Sequence, residues 1–296
     1  MSNGDFWSSE VWATINGTPN DPTKPGLLKA TMGPMEVARS VFPTIITGND
    51  NPIPADTIDL ATGVPSTGET RSFAALRKPF QLAPIHVSDP ALTLAMNQVA
   101  NAAQALAVVE DMLFFQGTDA PLPAAGAQRV VVTDVDKEKL DEGLLGIADG
   151  NHDIVVHPIV GPGRTYGLRI YNAVVEGIQR FTADQQGPPY GLVLAPDIFG
   201  QANLPLALGA FVTPASAIQP LLLSGSFTVS PGMPAWTGLL ASLGGKSTTL
   251  YIGTSPLVEF SVYVDSNYFF NARESLQFLN TDPRSLIKLT FDNNPE

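Results

Sequence analysis

Between Ser88 and Gly117 apolar residues recur at a helical period over an unusual length. Ser88-Asp89-Pro90 offers an N-cap with proline at the first helical position. Leu92, Met96, Val99, Ala103, Leu106 and Leu113 follow at spacings of 3, 4 and 7, and Gly117 supplies a C-cap. The pattern predicts a helix of about 27 residues, roughly 40 Å long at about 1.5 Å per residue. Helices in compact domains average about 11–12 residues. Glu110 falls on the apolar stripe, four after Leu106 and three before Leu113. A carboxylate there must find hydrogen bonds if it is buried.

Composition narrows what such a helix can belong to. The 296 residues carry a net charge of −12, and charged residues are 15% of the chain, against about 25% in ordinary soluble domains. Apolar content of 44% argues against disorder. The absence of cysteine excludes disulfides and cysteine-ligated zinc or iron–sulfur sites. The acidic balance argues against a simple basic nucleic-acid binder. The 26 glycines and 26 prolines point to many turns or extended segments. Met1 to Glu10 lacks the basic start and apolar run of a secretion signal. The longest apolar stretch, Ala102 to Phe115, is interrupted by Gln104, Glu110 and Asp111, so no membrane span is expected and a cytoplasmic location is. Asn16-Gly17-Thr18 fits a glycosylation sequon by chance on this reading.

Along the chain, residues 1–26 are polar and turn-rich, with Trp7 and Trp12 as large anchors, and read as an arm that docks on something. Residues 27–42 have helical character interrupted at Gly33-Pro34. Residues 44–72 are a long polar stretch, either disordered or an extended hairpin. After the long helix, 118–128 reads as a loop. Arg129–Thr133 and Ile154–His157 read as strands. A second amphipathic helix is expected from about Thr165 to Phe181, ended by Gly187-Pro188-Pro189. Tyr190–Ala195 reads as a buried strand, and Pro196-Asp197 opens a short helix near Ile198–Asn203. Strands are expected at Phe227–Ser230, Thr248–Ile252, Val258–Val264, Leu276–Leu279 and Leu286–Phe291. This order gives an α+β class rather than a doubly wound sheet.

No motif carries catalysis. Gly161, Gly163 and Tyr166 fail the dinucleotide fingerprint at its last glycine. Gly244-Gly245-Lys246-Ser247 resembles the end of a P-loop, but Leu240 stands where the first glycine is required, so a hairpin turn is expected. His152, Asp153 and His157 are too few and wrongly spaced for a metal site, and no metal is expected. Asp134 and Asp136 lack a matching base and read as a solvated turn. There is no Gly-x-Ser-x-Gly elbow. The chain is therefore not expected to be an enzyme, with a monomeric acidic α+β enzyme as the remaining contrary reading.

Three segments, in order, resemble the encapsulin family, the linocin-type bacterial nanocompartment shell proteins. Val109-Glu110-Asp111-Met112-Leu113-Phe114-Phe115-Gln116-Gly117 resembles its acidic pair, apolar pair and glycine at the end of the spine helix. Gly187-Pro188-Pro189-Tyr190-Gly191-Leu192-Val193-Leu194-Ala195-Pro196-Asp197 resembles its strand and turn. Glu274-Ser275-Leu276-Gln277-Phe278 and Pro283-Arg284-Ser285-Leu286-Ile287-Lys288-Leu289-Thr290-Phe291 resemble its closing segments, over a likeness covering about 27–291.

The resemblance implies the tailed-phage, Hong Kong 97-type capsid fold. Residues 1–43 would be an N-terminal arm and helix and 44–76 an extended loop reaching a neighbour. Residues 77–129 and 226–296 would form the peripheral domain with the spine helix, and 130–225 the axial domain. Glu110, Asp111, Gly117, Glu274 and Pro283 would be structural residues, with Glu110 hydrogen-bonded where the spine helix meets the sheet. The implied function is a self-assembling icosahedral shell that encloses a cargo protein, with a phage or prophage major capsid protein packaging DNA as the alternative. The spine region is about a dozen residues shorter than in typical members. The helix that forms the family's cargo groove is broken here by Gly33-Pro34, and the arm before it would staple neighbours. No tryptophan lies between Phe73 and Gly117 to build the flavin site of some members, so no cofactor is expected. Pore residues are expected within 158–165 and 204–216.

Overall fold

The computed structural model describes residues 6–18, 21, 23–55, 70–117, 120–122, 129–133, 143–148, 152–158, 166–205 and 212–292. Asp134, Asp136, Gly161, Gly163 and most of the expected pore segments lie outside them. The described chain forms two large sheets, each with its own apolar core, and one two-stranded pair.

The first residues are part of the core. Helix α1 (Ser9–Asn16) is capped by the Ser8 hydroxyl, which accepts from Val11 N–H. Trp7, Trp12 and Ile15 are buried, and the Trp7 indole stacks on Phe270 with centroids 5.0 Å apart. Trp7 Nε1–H donates to the Val87 carbonyl at 3.1 Å. Residues 6–16 of the expected arm therefore dock on their own chain. The aromatic pair is legible as anchors, but the groups receiving it, Val87 and Phe270, come from elements far along the chain. Gly17, at φ 87°, and Gly26 meet back to back, so that a Cβ on Gly17 would lie 2.7 Å from Gly26 N. That approach sets α1 against α2 (Leu27–Met32). A second short helix, α3 (Val37–Val41), resumes after Gly33-Pro34, as the sequence predicts.

The six-stranded sheet runs β1-β10-β12-β4-β5, with β11 also pairing β12. Its members are β1 (Thr44–Ile46), β4 (Ala74–Leu82), β5 (Val131–Thr133), β10 (Thr248–Ile252), β11 (Leu257–Val264) and β12 (Asn267–Asn280). Strand β4 alternates buried and exposed side chains along most of its length, the signature of a half-buried strand. Between β1 and β4, β2 (Ile53–Pro54) pairs antiparallel with β3 (Thr70–Arg71). The expected loop 44–76 is thus narrower, because Thr44–Ile46 and Ala74–Leu76 belong to the sheet.

Helix α5 (Thr93–Gln116) packs on β4 and β12. It starts later than Ser88-Asp89-Pro90 suggests. Pro84–Val87 forms its own helical turn, α4, and Leu92 sits at φ 49°, breaking the run. The Asp89 carboxylate instead accepts from Ala91 and Thr93 N–H, closing a turn ahead of the helix. Toward its end α5 is buried nearly all round, at Val109, Glu110, Asp111, Leu113, Phe114 and Phe115.

The second sheet runs β6-β13-β9-β7-β8. Its strands are β6 (Asp153–Val156), β7 (Tyr190–Leu194), β8 (Phe227–Val229), β9 (Thr237–Ser242) and β13 (Leu286–Phe291). The helix Leu168–Ala183 covers it, with Ile170, Val174 and Phe181 turned inward. Strands at 227–229, 237–242 and 286–291 therefore share a sheet with 153–156 and 190–194, while 131–133 joins the first sheet. That partition departs from the boundaries 130–225 and 226–296, because the chain passes between the sheets three times: it leaves the first sheet after β5, returns to it after β9 and leaves it again after β12. One passage is Gly244-Gly245-Lys246-Ser247, which links β9 to β10 in different sheets and is not a hairpin turn. The last contains the 3-10 turn Pro283–Ser285 between β12 and β13. These two passages are tied together by Thr281 N–H donating to the Ser247 carbonyl at 2.8 Å.

Candidate functional site

The charged groups converge where the end of α5 meets α3 and β12. Glu110 is fully buried on α5. Its two carboxylate oxygens accept from Arg39 Nε and Nη2, each at 2.7 Å, a bidentate pair. The same Nη2 donates to Glu274 Oε2 at 2.6 Å from β12. Arg39 Nη1 lies 3.2 Å from Glu36 Oε1, one helical turn back. Asp111, the next residue on α5, faces the other way. It accepts from Ala38 N–H at 2.9 Å, Val37 N–H at 3.3 Å and the Ser230 hydroxyl at 2.7 Å. Asp111 thereby satisfies donors at the start of α3, which Glu36 precedes without a side-chain cap.

One guanidinium thus serves three buried glutamates. Burial pushes the Glu36 carboxyl up to about 7; Arg39 opposes this, and Glu110 and Asp111 add to it. Burial likewise pushes Asp111 up to about 7, against the Ala38 N–H and the Ser230 hydroxyl. Glu274 is raised well above the ordinary carboxylate range, first by burial and then by the Glu110 charge. Burial disfavours the Arg39 charge, but Glu274 and Glu110 outweigh that and hold the guanidinium charged. Glu36, Glu110 and Glu274 each offer an oxygen within 4.8 Å of the others, a spacing that suits a cation. The cation there is Arg39, whose fork matches the carboxylates in geometry.

Of the residues singled out from the sequence, Glu110, Asp111 and Glu274 meet at this junction. Gly117 ends α5 at φ 73°, its N–H bonded to the Leu113 carbonyl, and lies against Gly143 so closely that a Cβ there would come within 2.3 Å of Gly117 N. Pro283 stands apart, opening the turn between β12 and β13, where Asp282 accepts from Arg284 N–H. Sequence reasoning missed Glu36, Arg39 and Ser230. A signal existed for Arg39. It is the only base in the apolar run from Val37 to Phe42, and two buried acids demanded a cation. The histidines do not converge: His152 Nε2 pairs with Asp184 and His157 Nδ1 with Asp292.

A scan against family models finds no match, and a search of curated proteins finds none. Solved structures do match. The virus-like particle from Pyrococcus furiosus aligns at a TM-score of 0.62 and 11% identity, covering 89% of this chain and 96% of that one. The fold is the Hong Kong 97-type capsid fold. The encapsulin of the holo-SrpI complex from Synechococcus elongatus matches at 0.53 and 10% identity, over 88% and 90% of the two chains. Mycobacterium phage Adephagia matches at 0.58 and 14%, over 88% and 92%. Within this fold the acidic junction ties the end of α5 to β12 through Arg39. Among the described residues no helix is long and apolar enough to cross a membrane.

Proposed function

We propose that the chain is the subunit of a closed icosahedral shell of the encapsulin type, which encloses a cargo protein in the cytoplasm and performs no catalysis itself. The observation that carries this reading is the likeness to a virus-like-particle protein over 89% of this chain and 96% of that one. The surface supports it. Strand β1 is an edge of its sheet and presents Ile45 and Ile46 outward, the second 67% exposed. An uncharged apolar edge of this kind is a liability in a monomer and a contact in an assembly. On this reading the first sheet and α5 form the peripheral domain, and the second sheet with its helix forms the axial domain. Glu110, Asp111, Gly117, Glu274 and Pro283 hold the subunit together and take no part in chemistry.

The second reading, a phage major capsid protein packaging DNA, is favoured by phage capsids matching over 88% of the chain at somewhat higher identity than the encapsulin. Size-exclusion chromatography and negative-stain microscopy test the shell itself. Uniform hollow particles are expected, and a lone species near 31.3 kDa overturns it. Particles recovered from the native cell then separate the two readings, since co-purified protein supports the compartment and co-purified double-stranded DNA supports the capsid.

A further inference from the structure

The acidic junction is overfilled with carboxylates for the cations it holds. Glu36 and Arg39 come from α3 and its leading residue, Glu110 and Asp111 from α5, and Glu274 from β12. Lys29 on α2 acts on Glu36 from a greater distance. Arg39 makes direct ion pairs with Glu36, Glu110 and Glu274. Fully ionised, three glutamates around one guanidinium leave two uncompensated negative charges, with Asp111 adjacent, in a place where Glu110 and Glu274 are shielded from water. A separate observation locates the excess. Glu274 Oε1 is buried and has no hydrogen-bond partner among the described residues, while its Oε2 takes the Arg39 bond. A buried ionised oxygen with no donor is strongly disfavoured, whereas the same oxygen carrying a proton becomes a donor to a neighbouring carboxylate.

We propose that Glu274 and Glu36 hold at least one proton between them at neutral pH, and that its loss in alkaline medium releases α3 from the end of α5. The polar ties between α3 and α5 lie in this cluster, the Arg39–Glu110 pair and the Asp111 bonds to Val37 and Ala38. Burial raises Glu36 to about 7 and Glu274 well above the ordinary carboxylate range, so the proton is lost from about neutrality upward. Release is local, because α5 remains packed on the sheet through its apolar face.

Amide hydrogen exchange on the full-length protein tests this, with protection corrected for the intrinsic pH dependence of exchange. Protection over residues 37–41 is expected to fall about tenfold or more between pH 6 and pH 8.5, since one released proton is worth up to about tenfold per pH unit. Residues 168–183 in the second core serve as the reference and are expected to hold. Glu274→Gln keeps a neutral hydrogen-bonding group and is expected to flatten the pH dependence, with Glu36→Gln as an independent second variant. Equal pH profiles for 37–41 and 168–183 in the wild type overturn the proposal. So does an undiminished fall in both variants. If neither variant folds, the wild-type series decides alone. The readout does not depend on particle formation, so a monomer with the pH-dependent segment would overturn the shell and keep the switch.

Discussion

Arg39 is the cation on which the end of α5 depends, and removing it exposes the whole electrostatic problem at once. In Arg39→Ala three buried glutamates lose their partner, and breaking a buried pair from one side costs about 3–5 kcal/mol. The loss is expected to grow with pH. Glu36, Asp111 and Glu274 already bind protons more tightly folded than unfolded. Their contribution is fully present below the ordinary carboxylate pKa of about 4 and is lost as pH rises through about 7 for Glu36 and Asp111. Without Arg39 the carboxyls hold protons still more tightly, so ionising them costs more. Urea unfolding at pH 5 and pH 8 measures this, and an equal loss at both values contradicts the account. Glu110→Ala is expected to lose less stability than Arg39→Ala, because Arg39 keeps Glu274 and Glu36. The reverse order in the same urea series would argue against one guanidinium serving all three acids.

At the scale of elements, two glycines in helices make opposite predictions. Gly177 lies in the helix Leu168–Ala183 where it approaches the second sheet, and a Cβ there would come 2.6 Å from Leu240 Cδ2. Gly200 lies in the helix Pro196–Ala202 with nothing within 4 Å of its Cβ position. Gly200→Ala is expected to raise stability by about 0.5–1 kcal/mol through helix propensity. Gly177→Ala carries the same propensity gain but is expected to lower stability by about 1–3 kcal/mol through overpacking. Thermal melts of the two variants give the signs. The contrast also shows what a sequence conveys about elements. The helix around Gly177 was readable from Ile170, Val174 and Phe181, and α5 from Val99, Ala103 and Leu106, because periodicity is local. Strand β9 was not, since Thr237–Ser242 is buried at almost every position and has no alternation to detect. Most of β12 was missed for the opposite reason: Asn271 and Arg273 mask a strand whose apolar partners lie on β4 and β11. The junction was half readable. Glu110 announced itself by sitting on an apolar stripe, but Arg39 reaches it from 71 residues away and Glu274 reaches that arginine across 235. Such pairings exist only once the sheet has been built.

For the whole molecule, the low charge density and the sign of the charge pull in different directions. Few charged residues leave apolar surface such as Ile46 and Ile85 available for burial between copies. A net charge of −12 makes those copies repel one another as they approach. Salt weakens this repulsion, since the screening length falls from about 10 Å at 0.1 M to about 3 Å at 1 M ionic strength, while burial of apolar surface is not weakened by it. Assembly of a shell from this subunit is therefore expected to increase with sodium chloride at constant pH. It is also expected to increase as pH is lowered from 8.5 toward 6, where the carboxyls of the acidic junction regain protons and the negative charge shrinks. The fraction of protein eluting as particles, measured by size-exclusion chromatography across a salt series at both pH values, reports this directly. A particle fraction that falls with added salt would instead mean that oppositely charged patches hold the subunits together, and apolar contacts would then not be the main source of association.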